Sequence, residues 1–393
     1  MKHTSATHST EPVGSDTGCD SDAGDRDRRK RAWWQDLPRF AVRLWEQSEV
    51  CLAAERVQVH STRGGRARRL AGKRPSRYVS RVSTTQGDLS LVVVAYHRPG
   101  SLDLLLAELD GSGTSIVVAN VEGDLEIAEI GRRHGATLRA IEGNPGYAAA
   151  VNAGVELVET DFVVFSNDDV VLPAPSLEAL AAVLRDKSAD VAVPLVQDAG
   201  GSPVRTVQAA PGLGQFLLEW VLLPDKPMRL PGVHAQKWRE PSGHELIDAA
   251  SAMTIATSAS LLRQHRLPET YGLYWEESEW FHWLKTSGHS VMYCPEAPIT
   301  DLGGRAAQYP DKCRLLARNA VRYFRHTRGR AQAMVAWPLV MAWQLRLVAT
   351  ALMRVALGRP DSLGALRCRL SGLKAAGKAW SEIELFGTPA RTP

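Results

Sequence analysis

Cysteine is scarce in this chain. The five cysteines, Cys19, Cys51, Cys294, Cys313 and Cys368, lie far apart, form no CxxC pair and have no histidine at zinc-site spacing. A zinc ribbon or finger is therefore excluded, and the thiols are expected to be reduced, buried or incidental. The N-terminal segment lacks an apolar core that could act as a secretion signal, which predicts a cytoplasmic location. Acids are missing altogether between Arg56 and Arg81, where Arg63, Arg66, Arg68, Arg69, Lys73, Arg74 and Arg77 crowd together. Such a run can touch anionic lipid or nucleic acid, or serve as a solvated linker. No stacking pattern of aromatics interleaves it, so nucleic acid is the least favoured of the three. An uninterrupted apolar run of about 20 residues, the length needed to span a bilayer, is also lacking. The longest candidate, Ala333 to Leu345, is interrupted by Pro338. It is expected either to lie in a membrane interface, with Trp337, Trp343 and flanking arginines, or to pack on the main domain.

What is present is a chain of 393 residues, 44% hydrophobic and 23% charged, with a net charge of only +4. That is enough for one large domain or two medium ones with a real core. Four regions are expected. Residues 1–31 are polar, with almost nothing to bury, and read as a disordered tail. Residues 32–88 form a helical and basic extension, residues 89–328 the main domain, and residues 329–393 a helical extension that can reach a membrane surface.

The main domain begins with the apolar run Leu89 to Ala95, a buried strand, followed by a polar turn and a helix capped by Ser101. Ile116 to Ala119 and Ala136 to Ile141 repeat the strand pattern, with a helix from Leu125 to His134 between them. This β-α-β-α-β rhythm predicts an α/β fold with a mostly parallel sheet and helices on both faces. Asn144 to Gly154 places Gly146 in a tight turn before a helix of small residues. The N-terminus of that helix can face an anionic ligand, although close helix packing explains the alanines equally well.

Two groups of acids stand out. Phe162 to Phe165 is a buried strand that stops abruptly at Asn167, Asp168 and Asp169. Ligands of open α/β sheets bind beyond the carboxyl ends of the strands, so acids there can hold a hard divalent cation and, through it, a diphosphate. They can equally form an ordinary turn. Further on, Glu276, Glu277 and Glu279 sit among Tyr274, Trp275 and Trp280. A carboxylate against aromatic walls is pushed towards the pKa a general base needs, whereas first-turn glutamates also occur simply as helix starts. Between the two groups the periodicity fails over residues 200–245. This segment is assigned to acceptor recognition, with Trp220 and Trp238 either stacking on a sugar or serving as core.

Taken in order, these motifs resemble family-2 glycosyltransferases of the GT-A fold, in particular their rhamnosyltransferase-like branch. The likeness spans about Leu89 to Arg328. It rests on Val94-Ala-Tyr-His-Arg-Pro99, on Asn144-Pro-Gly-Tyr147 with Asn152 and Gly154, on Asn167-Asp-Asp169, on Glu276-Glu-Ser-Glu-Trp280, on the Gly288 to Pro295 strand, and on Arg318-Asn319. The resemblance implies an inverting, metal-dependent hexosyltransferase that moves a sugar from a nucleotide-diphosphate donor to a hydroxyl of a saccharide or lipid-linked acceptor. The setting it implies is cell-wall, polysaccharide or glycolipid synthesis on the inner face of the plasma membrane. It implies Asp169 as the ligand of Mg²⁺ or Mn²⁺ and Glu277 as the base. Ala95, Tyr96, Arg98, Asn120, Asn144, Gly146, Tyr147, Asn152 and Asp168 would bind the donor, and Glu276, Glu279 and Trp280 would orient the acceptor. Two departures favour a catalytically silent relative that binds nucleotide sugar or scaffolds partners. Ala119 stands where the family has a base-reading Asp, and Asp301 stands before Gly303-Gly304 where it has a His.

Overall fold

A computed structural model describes residues 87–222, 228–230, 233–235, 241, 243–251, 253–303, 311–359 and 362–385. The expected tail and the helical and basic extension up to residue 86, with its segment 56–81, lie outside the described residues, as do Trp238 and Gly304.

The elements, in chain order, are β1 (Leu89–Ala95), α1 (Pro99–Ala107), β2 (Ser115–Val121), α2 (Leu125–Arg133), β3 (Thr137–Ile141), α3 (Tyr147–Val155), β4 (Phe162–Asn167), β5 (Val170–Val171), α4 (Ala174–Arg185) and β6 (Val191–Asp198). The middle of the chain adds β7 (Val207–Gln208), α5 (Leu213–Phe216) running into a π-helical turn (Leu217–Leu222), β8 (Met228–Leu230), β9 (Val233–Ala235), β10 (Glu245–Leu246), β11 (Ala249–Ala250) and β12 (Thr254–Ser258). The remainder is α6 (Ala259–Gln264), α7 (Glu276–Thr286), β13 (Val291–Asp301), α8 (Lys312–Ala356) and α9 (Ser362–Leu385).

Every residue of β1 is buried, which is why its sequence is an unbroken apolar run rather than an alternating one. Asp124 starts α2 by accepting from the backbone N–H groups of Glu126 and Ile127, and Arg132 and Arg133 close the helix in its last turn. The first helix starts earlier than Ser101: Pro99 occupies its first turn, where a missing N–H costs nothing.

The main sheet runs β10-β13-β6-β12-β4-β1-β2-β3. β4, β1, β2 and β3 pair in parallel, as do β6 and β13, while β12 lies antiparallel between β4 and β6. The sheet is thus mixed but mostly parallel, and the parallel strands all end at one edge. One face is covered by the apolar sides of α1, α2 and α4, through residues such as Leu102, Ile127 and Leu180. The other is covered by α3, α6 and α7, through Val151, Leu262 and Phe281. A third cluster, including Phe216, Tyr271, Tyr323, Phe324 and Trp343, seats the α8/α9 hairpin on the domain.

Two expectations are corrected here. Pro338 does not break the C-terminal helix: α8 continues through it to Ala356, and its single non-helical residue is Gly329, at φ 85° and ψ 176°. Pro338 lies on an exposed face, where the carbonyl left without an N–H partner can be met by water. Among the described residues, α8 is the one helix long and apolar enough to cross a membrane by length and composition, although a third of its most apolar window is buried. The second correction concerns cysteine. Cys313 and Cys368 form a disulfide, with Cα atoms 5.6 Å apart. It links α8 to α9 where Gly372 lets the helices close in, because a Cβ there would come within 2.9 Å of the Cys313 carbonyl oxygen. Closing a loop of 55 residues restricts the unfolded chain, and its loss is expected to cost about 2–4 kcal/mol. Cys313→Ser should therefore lower the chemical-denaturation midpoint, and non-reducing peptide mapping should recover a Cys313–Cys368 cross-link. Equal midpoints with and without reductant would count against the bond.

Candidate functional site

The ends of three strands bring the first group of acids together. β4 stops at Asn167, and the chain turns through Asp168 and Asp169 into β5, which pairs antiparallel with the end of β13 so that Val170 faces Asp301. The Leu302 N–H donates to the Asp169 carbonyl at 2.9 Å, locking that turn. From the end of β1, the Tyr96 N–H donates to Asp168 Oδ2 at 2.9 Å. Arg98 Nη1 pairs with Asp169 Oδ2 at 3.0 Å and reaches the Gly303 carbonyl at 3.3 Å. Three carboxylates, Asp168, Asp169 and Asp301, thus share one guanidinium. Burial pushes Asp168 up to about 7, with the charge of Asp169 adding to it. Burial, and then the charge of Asp169, also raises Asp301. Asp169 Oδ1 is buried with no hydrogen-bond partner. A buried carboxylate oxygen left unmatched among like charges is what a cation would satisfy.

The second group is positioned by strained backbone. Tyr274 and Trp275 both take left-handed conformations, at φ 68° and 79°, immediately before α7. Non-glycine residues adopt such angles only when the surroundings impose them. The surroundings here belong to α8. Buried Asn319 donates through Nδ2 to the carbonyls of Tyr271, Leu273 and Tyr274 at 3.0, 2.8 and 3.0 Å. The Trp275 indole donates to the Leu316 carbonyl at 3.2 Å, and Arg318 donates to the Tyr271 carbonyl at 3.2 Å. Glu276 and Glu277 therefore open α7 in a fixed direction, each with a buried Oε2 that has no partner. Burial raises Glu277 to about 7. Burial, and then the charge of Glu277, holds Glu276 well above the usual carboxylate range.

One residue senses both groups. Burial first, then Glu276 and Glu277, then Asp169 and Asp168, push the Tyr147 phenol well above its ordinary value. Tyr147, at the N-terminus of α3, is thus acted on by both acid pairs, although they lie more than a hundred positions apart in sequence. Gly146 makes this possible. Its φ is 103°, and a Cβ there would sit 2.0 Å from the Gly272 carbonyl oxygen, which accepts the Tyr147 N–H at 2.9 Å.

Other expected site residues have different tasks. Trp280, expected to orient an acceptor, lies in the core: it is 2% exposed, its indole donates to the His265 carbonyl at 2.9 Å, and its ring packs edge-on to Phe165. Asn152 is buried and clamps Leu267 and Glu269, tying α3 to the segment before α7. Asn120 bonds both ways with the Asp124 backbone, and Asn144 closes an Asx turn onto the Gly146 N–H. Glu279 bridges the Tyr271 hydroxyl and His326 rather than facing open space. Ala95 is the buried last residue of β1. Trp220 belongs to the aromatic cluster with Phe216, Trp275 and Trp343. Sequence reasoning missed Glu122, at φ 63°, which gathers Tyr96 and His97 at the mouth of β2; no local signal marks it.

Among the described residues, His244, Cys294 and Glu296 also bring potential ligand atoms within 4.8 Å of one another. They make a poor metal centre. Burial pushes the Cys294 thiol up to about 12, and His244 already pairs with Glu296 at 2.7 Å. Cys294 and Asp301 pair with Pro194 and Asp198 of β6, which puts them about 13 Å apart along the sheet at about 3.3 Å per residue.

Two measurements check this geometry. The raised carboxylates bind protons more tightly in the folded chain than in the unfolded one. Stability without divalent ions should therefore fall as pH rises from about 4.5 through about 7. Asp168→Asn should flatten that slope, and an identical slope in this variant would contradict the raised value. Asn319→Ala should cost about 1–3 kcal/mol of stability, because it leaves buried carbonyls unpaired, read as a shift in the urea midpoint.

Comparison with known proteins gives the following. Residues 110–235 match the family model "Glycosyl transferase family 2". A mannosyltransferase from Pyrobaculum calidifontis, solved with GDP-Man and Mn2+, is structurally similar at 13% identity and a TM-score of 0.43, covering 76% of this chain and 88% of the other. TarS residues 1–349 from S. aureus is similar at 14% identity and a TM-score of 0.39, covering 76% and 91%. No curated protein matches the chain. The family match over residues 110–235, on a mostly parallel sheet flanked by helices, supports a glycosyltransferase of family 2.

Proposed function

We propose that this chain is an inverting, metal-dependent glycosyltransferase that carries a sugar from a nucleotide-diphosphate donor to an acceptor hydroxyl. The observation that carries the reading is Tyr147, whose phenol is acted on by both acid pairs at once. A transferase needs such convergence, with leaving-group chemistry on one wall and proton transfer on the other.

The first wall fits a divalent cation: Asp169 offers an unpartnered buried oxygen, and Asp168 and Asp301 are raised by burial and by neighbouring negative charge. Mg²⁺ or Mn²⁺ bound there would neutralise charge on the departing nucleotide diphosphate. Arg98 adds a fixed positive charge beside it and keeps Asp169 aimed. On the second wall Glu277, raised to about 7, takes the proton of the acceptor hydroxyl as that oxygen bonds to the anomeric carbon and the carbon–phosphate oxygen bond breaks on the far side. Inversion follows from that opposed geometry. Burial and the charge of Glu277 hold Glu276 well above the usual carboxylate range, so the two acids titrate as a coupled pair in which one can carry the proton while the other accepts.

The acceptor we infer is a saccharide or lipid-linked saccharide of cell-wall or polysaccharide synthesis, met on the cytoplasmic face of a membrane. The α8/α9 hairpin supports this by exposing Leu345, Leu352, Met353, Leu357, Leu363 and Leu370 beside a strongly basic sequence. Rhamnose is the donor sugar that the motif resemblance suggests. A silent nucleotide-sugar-binding relative is the second reading, favoured by the Arg98–Asp169 pair, which already occupies one oxygen of the metal candidate.

The test is release of nucleoside diphosphate from a donor panel, with and without Mn²⁺. Asp169→Ala is expected to abolish metal-dependent donor binding. Glu277→Gln is expected to keep donor binding and lower turnover by about 10²-fold or more. Normal turnover by Glu277→Gln would refute the base, and no release from any donor would favour the silent reading.

A further inference from the structure

A concavity lies between α8 and α9, and none of the acids described above lines it. It has a volume of about 360 Å³ and is lined by Arg314, Arg318, Ser371, Lys374, Ala375 and Lys378. Four of the six lining residues are cations and none is an acid. They come as two pairs one helical turn apart, Arg314 with Arg318 on one helix and Lys374 with Lys378 on the other. Like charges at that spacing repel, and facing two such pairs across a cleft compounds the cost. The small Ser371 and Ala375 leave its floor open. Arg314 has a carboxylate neighbour, Asp311, at 2.9 Å. Lys374 and Lys378 are exposed and pair with no carboxylate among the described residues.

The wider charge pattern is equally one-sided. From Lys312 to Trp380 there are fourteen Lys and Arg residues and a single acid, Asp361. The cleft is also held rigidly. The Cys313–Cys368 disulfide lies beside it, and Arg318 is fixed by its bonds to the Tyr271 carbonyl and to Asn319 Oδ1.

We propose that this cleft binds a phosphate or diphosphate group. Arginine supplies planar, forked donors and lysine a compact point charge, the two chemistries that together hold phosphate oxygens. The space exceeds one phosphate, so a diphosphate, or a phosphate carrying a substituent, fits. The group can come from a lipid headgroup or from a free phosphate in solution. Neither source depends on the transferase reading, because none of the acids lines the cleft and Arg318, which also holds the Tyr271 carbonyl, is left unchanged in the test.

The experiment uses the full chain, with calorimetric titration of inorganic pyrophosphate as one arm. The other arm is co-sedimentation with phosphatidylcholine vesicles with or without phosphatidic acid. Lys374→Ala/Lys378→Ala removes two exposed cations of the cleft. Arg359→Ala/Arg367→Ala removes two exposed cations of the same hairpin outside it. The expected result is binding in at least one arm that the lysine variant weakens about tenfold and the arginine variant leaves within about twofold, with steep weakening by salt. Pyrophosphate binding identifies the free group as a ligand, and binding to phosphatidic acid alone identifies the headgroup. Absence of binding in both arms, or equal losses in the two variants, overturns the proposal.

Discussion

Asn319 is the residue on which the second acid group depends. Its one amide holds three carbonyls, those of Tyr271, Leu273 and Tyr274, in a segment whose backbone is left-handed at both Tyr274 and Trp275. Each such bond contributes about 1 kcal/mol net, comparable to the strain of a single unfavourable residue. The strain is offset by bonds from a different part of the chain. The direction of Glu276 and Glu277 is therefore set by α8 and not by α7 alone.

The same logic ties α3 to the second acid group. Gly146 and Gly272 touch backbone to backbone, so the N-terminus of α3 and the loop before α7 cannot move independently. Asn152 repeats the tie one turn further along α3. The acids at the sheet edge are organised differently, by burial and then by mutual repulsion that Arg98 only partly relieves. One wall is held by hydrogen bonds and carries its charge reluctantly. The other is held by strand pairing and has excess negative charge to offer a cation.

Much of this was legible in the sequence, for physical reasons. β1 and β4 read clearly because a strand buried on both faces must be apolar throughout, and α2 because Asp124 announces its start. The positions of the two acid groups read as well, since polar residues ending a buried strand or opening an aromatic-rich helix stand out against their neighbours. Side-chain direction did not. Spacing along the chain cannot reveal that Trp280 points into the core, that Asn152 is spent on Leu267 and Glu269, or that Glu279 reaches His326. β12 was hidden because Thr254 to Ser258 is short and small-residued, and its antiparallel place between β4 and β6 is decided by neighbours far away in sequence. The cysteine pairing was hidden for the same reason: Cys313 and Cys368 meet only after two helices fold back on each other.

The helix that carries Asn319 also carries the exposed Leu345 and Leu352, with one joint between them at Gly329. The ten residues separating Asn319 from that joint make a rigid strut of about 15 Å, at 1.5 Å per residue. Whatever surface the hairpin rests on, the start of α7 with Glu276 and Glu277 then stands at a height set by that strut and the Gly329 joint. An acceptor tethered to that surface would be selected by the reach of its tether as much as by the identity of its sugar.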